Sequence, residues 1–278
     1  MTTATSTTLD IGTPAARHFH PTKAASVPPR RIPLIRIVAV ELRKSFDTRS
    51  GMWLLASVAI AALATTGAIL AWGPREESTY SQFLLAIGMP MTLLLPIIAA
   101  LSVTAEWTQR TGLATFTLVP HRGRVLLAKA VASVLVAAGA TVVTSVVAVV
   151  GNLIGAKVAG IAPVWDCDAA ALAAFAGAIT LLMLTGFTLG ALIRNSAGAV
   201  VSYMVYAFVA PGLLALLAMS QEWFRTMRPW VDAKFTQDAL MHGGLSGDQW
   251  AHLAVTTVLW LVVPLTVGVV TVLRSEVK

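Results

Sequence analysis

Among the side chains between residues 106 and 129 that could carry charge or hydrogen bonds to another protein are Glu106, Arg110, Thr111, Arg122, Arg124 and Lys129. They lie in AEWTQRTGLATFTLVPHRGRVLLAKA (residues 105–130), between two long apolar runs. Catalytic chemistry has few places to start. The single cysteine, Cys167, rules out an internal disulfide framework and a cysteine-based zinc cluster. Of the five histidines only His18 and His20 are close in sequence, and they sit in a polar stretch, so no metal site is expected. No G-x-x-x-x-G-K-[ST] phosphate loop occurs, so the chain cannot cradle ATP in the usual way.

The elements around these residues are apolar. Of 278 residues, 56% are hydrophobic and 12% charged, against about a quarter charged in an ordinary soluble domain. A membrane-spanning helix needs roughly 20 mainly apolar residues. Six runs satisfy this: 52–72, 82–105, 127–155, 169–193, 196–219 and 250–273. They are unbroken where a β-barrel would show short alternating segments. The expected fold is all-α: a polytopic membrane protein with six transmembrane helices. Residues 51–278 form its membrane domain.

Lysine and arginine divide unevenly between alternate loops. Fifteen fall before the first run, between runs two and three, between runs four and five, and at the C-terminus; the opposite loops hold five. Cytoplasmic loops are enriched in these residues, so both termini are expected in the cytoplasm of a cell with a bacterial-type cytoplasmic membrane. The net charge of +7 then reflects orientation and contact with anionic lipid rather than nucleic acid. Trp53, Trp72, Trp107, Trp165 and Trp250 fall near run ends, where amphipathic rings are at home. Residues 1–32, rich in Thr, Ala, Pro and Ser, read as a disordered cytoplasmic tail.

No Asp, Glu, Lys or Arg falls in the central part of any run. Ion-coupled transporters place ionisable groups within the membrane despite the cost, so this pattern argues against a proton-driven antiporter and against a carboxylate-dyad protease. Gly151-x-x-x-Gly155 and Gly186-x-x-x-Gly190 read as helix-packing motifs. Pro90, Pro96, Pro211 and Pro264 should kink their helices.

Two elements on the cytoplasmic side remain. Residues 33–50 predict an amphipathic helix on the membrane surface, with Ile35, Val38, Ala39, Leu42 and Phe46 on one face and Arg36, Arg43, Lys44 and Asp47 opposite. In the second, Glu106 closes the second run and a polar stretch leads through Gly112 into LATFTLV (113–119). Pro120 ends that piece, and Arg122, Arg124 and Lys129 mark the return to the membrane. A short crosswise helix is expected there. An ordinary positive-inside loop would carry similar charges.

Taken together, ELRKSFDTRSGMWLL (41–55), EWTQRT (106–111) and VPHRGRVLLAK (119–129) resemble the permease subunits of type-2 ABC exporters. So do the six runs and the longer external loop before the last. The resemblance covers nearly everything after residue 33. It implies that the surface helix and the loop between spans two and three face a separate ATP-binding subunit, which binds ATP and magnesium. It places Glu41, Arg43 and Lys44 at the interface helix. Glu106, Arg110, Thr111, Pro120, Arg122, Arg124 and Lys129 then fall in the region that couples to that subunit. Arg110 stands where family members often have glycine, with Gly112 following. The implied activity is outward movement of an amphipathic or lipid-soluble substrate, drugs included, by a pair of permease chains in the lipid bilayer. This chain would hold no cofactor and would not itself be an enzyme. A non-transporting scaffold or sensor anchor is the alternative.

Leu245-Ser246-Gly247-Asp248-Gln249 superficially resembles the signature sequence of ABC ATPases, but Ser246-x-x-Gln249 ahead of an apolar run reads as a capping box for the sixth span. Between spans five and six, Trp223, Met227, Trp230, Val231 and Phe235 interleave with Arg225, Arg228, Asp232 and Lys234. One or two interfacial or re-entrant helices are expected there.

Overall fold

The computed structural model describes residues 32–47, 49–74, 78–108 and 122–274. Six of its helices are long and apolar enough to cross a membrane, and no strand occurs among the described residues. The chain is an all-α, polytopic membrane protein. The tail expected over residues 1–32, Ile32 excepted, lies outside the described residues, as does the crosswise helix expected over 113–119.

Helix α1 (Leu34–Asp47) precedes the spans. These are α2 (Arg49–Trp72), α3 (Tyr80–Thr108), α4 (Arg122–Ala159), α5 (Ala169–Ile193), α6 (Ser196–Ser220) and α9 (Gly247–Arg274). Two short helices, α7 (Glu222–Val231) and α8 (Ala233–Met241), connect α6 to α9. The boundaries match the apolar runs except in α4. That helix passes both ends of 127–155 because RGRV before it and AKVA after it contain no helix stop. Its 38 residues reach about 57 Å at 1.5 Å per residue, well beyond a hydrocarbon core of about 30 Å.

The core lies between α3 and α5, and its pattern is simple. Phe83, Ile87, Met91, Leu95, Ala99 and Val103 recur every fourth residue, as do Phe175, Ile179, Met183, Phe187 and Ala191, and none is more than 1% exposed. Residues four apart share a helix face, so the two ridges meet along most of both helices. Both glycine pairs serve close packing. A Cβ on Gly186 would collide with the Pro96 carbonyl, and one on Gly190 would lie 2.7 Å from the Ala100 carbonyl oxygen. Gly151 lies against the Phe83 ring and Gly155 against Ser78. In lipid, where apolar burial gives little drive between helices, such close backbone approach is a main source of association.

The prolines act in two ways. Pro90 and Pro96 sit inside a continuous α3. Pro211 and Pro264 are each preceded by a five-residue π-turn, Val205–Val209 in α6 and Val258–Val262 in α9. A proline ring displaces the carbonyl four residues back and offers no N–H, and the widened turn absorbs both.

Connectors are held by side chains. Arg194 takes a left-handed φ of 55° to end α5, and Asn195 caps α6 by accepting from the Gly198 N–H at 2.9 Å, which makes the α5–α6 reversal tight. At the far end of the bundle, Asp166 accepts from the Ser81 N–H (2.8 Å) and Ser81 Oγ (2.5 Å), while Asn152 Nδ2 donates to the Val164 carbonyl. Trp53, Trp72, Trp165 and Trp250 are all more than half exposed, as expected of rings placed at span ends. The capping box at α9 forms: Ser246 N–H donates to Gln249 Oε1 at 2.7 Å.

Candidate functional site

The surface helix α1 presents three arcs rather than two. Successive residues turn by about 100°, so Leu34, Ile37, Val38, Glu41 and Ser45 line one side. This side packs on the bundle, with Ile37, Val38 and Glu41 buried. Ile37 and Val38 meet Ala128 and Val131 of α4. Next to it runs a second apolar arc, Ile35, Ala39 and Phe46, which is exposed and available to lipid. Arg36, Arg43, Lys44 and Asp47 form the third, exposed arc. The residues expected on one apolar face, Ile35, Val38, Ala39, Leu42 and Phe46, lie side by side on this helix. Only part of that face meets protein, and the stripe that docks is turned toward Glu41. Two adjacent apolar arcs look like one broad face on a helical wheel.

Glu41 is the centre of the docked side. Its Oε2 accepts from Lys129 Nζ at 2.6 Å and its Oε1 from Lys44 Nζ at 2.7 Å. Glu41 is 6% exposed and Lys129 4%. Lys129 Nζ also donates to the Ser102 carbonyl of α3 at 3.1 Å. One ammonium thus ties the surface helix to two spans. A small cleft beside the pair is lined by Ser45, Ser133 and Met183, among others. Burial pushes the Glu41 carboxyl upward, but the Lys129 and Lys44 ammoniums outweigh it and hold the group below its ordinary value of 4.5. Removing two charges from water is expensive, and only close pairing with further hydrogen bonds offsets it. That cost makes the contact specific: the pair forms with α1 seated in this register.

A second tie lies one turn earlier. Arg124, near the start of α4, donates to the Ile32 carbonyl at 2.6 Å, fixing the backbone that leads into α1. Among the described residues Arg43 makes an exposed contact with Asp47, at 3.4 Å.

Of the residues singled out in the sequence, the structure gathers Glu41, Lys44 and Lys129 into one cluster and sets Arg124 beside it. Arg43 faces away. Glu106 and Arg122 belong to α3 and α4 by backbone, and their side chains lie outside the described residues, as do Arg110, Thr111 and Pro120 entirely. Ser102, which offers the backbone acceptor for Lys129, was not foreseen. Nothing in an apolar span marks one carbonyl as a partner.

The α7–α8 connector is a second polar feature, at the opposite end of the bundle. It folds back between α5, α6 and α9 rather than lying on their ends. Tyr206 Oη of α6 donates to Gln237 Oε1 at 2.8 Å, the Thr236 and Thr256 hydroxyls are 2.9 Å apart, and Trp260 Nε1 donates to the Val231 carbonyl at 2.8 Å. Trp260 lies thirteen residues into α9, about 20 Å along its axis. The spans themselves lack central charges, as the sequence shows, but the hairpin brings ionisable groups among them. Arg228 Nε donates to Asp232 Oδ2 at 3.0 Å and its guanidinium sits 4.8 Å from the Phe235 ring centre. Asp232, 2% exposed, also caps α8 through the Phe235 N–H. Lys234 pairs with Asp238. These are charges that the sequence shows between spans five and six, now placed on a connector packed against the spans.

Among the described residues no group of three or more His, Cys, Asp or Glu side chains could hold a metal ion. No protein-family model matches the chain, and no curated protein matches it.

Proposed function

We propose that the chain is the membrane-spanning permease subunit of an ATP-driven exporter of the type-2 ABC kind. A separate subunit would bind ATP and magnesium, and a second permease chain would complete the path. The observation that supports this most is the buried Glu41–Lys129 pair. A surface helix that only lay on lipid would need no buried charge to seat it. Here α1 is joined through one ammonium to α4 and to the Ser102 carbonyl of α3, so a push on α1 reaches two spans without passing through a flexible joint.

In this reading the α1 end faces the cytoplasm. Closure of the ATP-binding subunits moves α1 and the segment between α3 and α4, and the spans reorient to release an amphipathic or lipid-soluble substrate outward. The exposed Arg36 and Arg43 of α1 are the side chains free to meet the partner. Glu41 and Lys129 act behind them, as the linkage. The test is transport-coupled hydrolysis: the purified complex in lipid should hydrolyse ATP faster with substrate, and Arg36→Ala with Arg43→Ala should reduce that coupling. Hydrolysis and transport unchanged in the double variant would reject this surface as the contact.

A further inference from the structure

Pro96 lies near the middle of α3, far from either end of the span. Its ring offers no N–H to the carbonyl four residues back, which belongs to Thr92. In hydrocarbon no water replaces the lost donor, so a neighbouring group must. In α6 and α9 a π-turn ahead of the proline meets this need. Helix α3 instead stays α-helical through Pro96.

The donor comes from another span. Tyr203 of α6 donates its hydroxyl hydrogen to the Thr92 carbonyl. Its side chain is 0% exposed, in a cluster against which Leu93 and Ile97 of α3 pack. The two residues are 111 apart in sequence, so the bond exists only with α6 docked on α3. Helix α5 closes the other side, where a Cβ on Gly186 would collide with the Pro96 carbonyl. Nearer the α1 end, Thr104 Oγ1 of α3 and Ser196 Oγ of α6 are 2.8 Å apart.

We propose that Tyr203 is a pin: its hydroxyl replaces the N–H that Pro96 lacks and makes the seating of α6 the condition for a satisfied α3 backbone. Withdrawal of α6 would bare the Thr92 carbonyl in hydrocarbon, whereas apolar surface alone is re-covered by lipid at little cost. The segment Ser196–Met204 therefore moves with α3 as one body, which ends where the π-turn Val205–Val209 begins. Lys129 reaches α3 at the Ser102 carbonyl, so motion passed from α1 to α3 carries this part of α6 along. That consequence rests on the permease reading; the pin does not.

The test is a double-mutant cycle on the full chain in lipid nanodiscs. Tyr203→Phe keeps the ring and removes the donor, and should lower the melting midpoint by about 2–6 °C. Pro96→Ala restores an N–H that Thr92 can accept within α3. On that background Tyr203→Phe should cost less than about half as much. Equal costs on both backgrounds, or no cost on either, would overturn the pin. If Tyr203→Phe alone gives no folded chain, its recovery by Pro96→Ala supports the pin, and failure to recover overturns it.

A second readout separates a pin from a bond that only adds stability. Spin labels at two exposed sites, Met89→Cys on α3 and Val201→Cys on α6, with Cys167→Ser, report the distance between the helices. The distribution should broaden with Pro96→Ala, which lets α6 part from α3 without baring a carbonyl. An equally narrow distribution in that variant would overturn the claim that the proline holds α6 in place. Neither readout uses ATP or a partner subunit, so failure of the pin and failure of the permease reading are told apart.

Discussion

Lys129 Nζ lies 2.6 Å from Glu41 Oε2, and both side chains are buried where a surface helix meets the third span. Eighty-eight residues separate them in sequence, so the contact reports how α1 is seated, not local helix propensity. Lys44 completes the cluster from α1 itself at 2.7 Å, but it is 45% exposed and screened by water. The Lys129 bond is the one that joins elements.

Breaking that pair from one side should be worse than removing it whole. Lys129→Met leaves Glu41 buried with only Lys44 beside it, and a destabilisation of about 3–5 kcal/mol is expected from an uncompensated buried charge. Lys129→Met with Glu41→Leu leaves the half-exposed Lys44 ammonium but no buried carboxylate, and should recover most of the loss. Thermal unfolding of the three proteins in one detergent compares them. Equal destabilisation by the single and double changes would mean that the pair does not seat the helix.

The same pair predicts an acid limb. Glu41 titrates below its ordinary value of 4.5 in the folded chain, so its contribution is present above the unfolded pKa and lost as pH falls through the folded one. Stability should be flat in this respect from about pH 5 upward and should fall below about pH 4. Glu41→Gln should flatten that limb. An acid limb of the same depth in this variant would assign it to other carboxylates.

Glycine substitutions should separate close packing from open space. Gly186→Ala drives a methyl into the Pro96 backbone, which cannot rotate away, and should cost about 1–3 kcal/mol or more. Gly139→Ala has nothing within 4 Å and should be neutral or slightly stabilising. Chemical or thermal unfolding in nanodiscs measures both. A neutral Gly186→Ala would contradict the α3–α5 packing described.

Exposed α1 cations should matter for coupling and not for folding. Arg43 is 81% exposed and among the described residues pairs with Asp47, so Arg43→Ala should change stability by less than about 0.5 kcal/mol. Substrate-stimulated ATP hydrolysis by the assembled complex should nonetheless fall. Loss of stability with coupling intact would reverse the assignment.

Much of the fold could be read from the chain because span length and hydropathy are set by the bilayer, not by packing detail. The same is true of Ser246 and Gln249, whose capping box is a purely local device. The docked side of α1 was harder to place. Its two apolar arcs adjoin, and only contact with α4 decides which one meets protein and which meets lipid. Glu41 gave a signal that could have been used: it is the one carboxylate on an arc otherwise made of Leu34, Ile37, Val38 and Ser45. Lys129 reads in the sequence as a cation at the mouth of the third run, whereas α4 begins at Arg122 and sets it two turns into the helix, against Glu41. The hairpin's charges were visible and pair locally, three or four residues apart; the break at Asp232 that divides α7 from α8 is what no periodicity reveals.

The most direct test of the central claim is purification of the chain from its native membrane in gentle detergent, followed by ATP hydrolysis with and without Glu41→Gln. A stoichiometric phosphate-loop ATPase should co-purify. Its hydrolysis should rise with substrate in the parent complex and lose that response in the variant, with the complex still assembled. A chain that purifies without such a subunit, or a variant complex that remains fully coupled, would contradict the account.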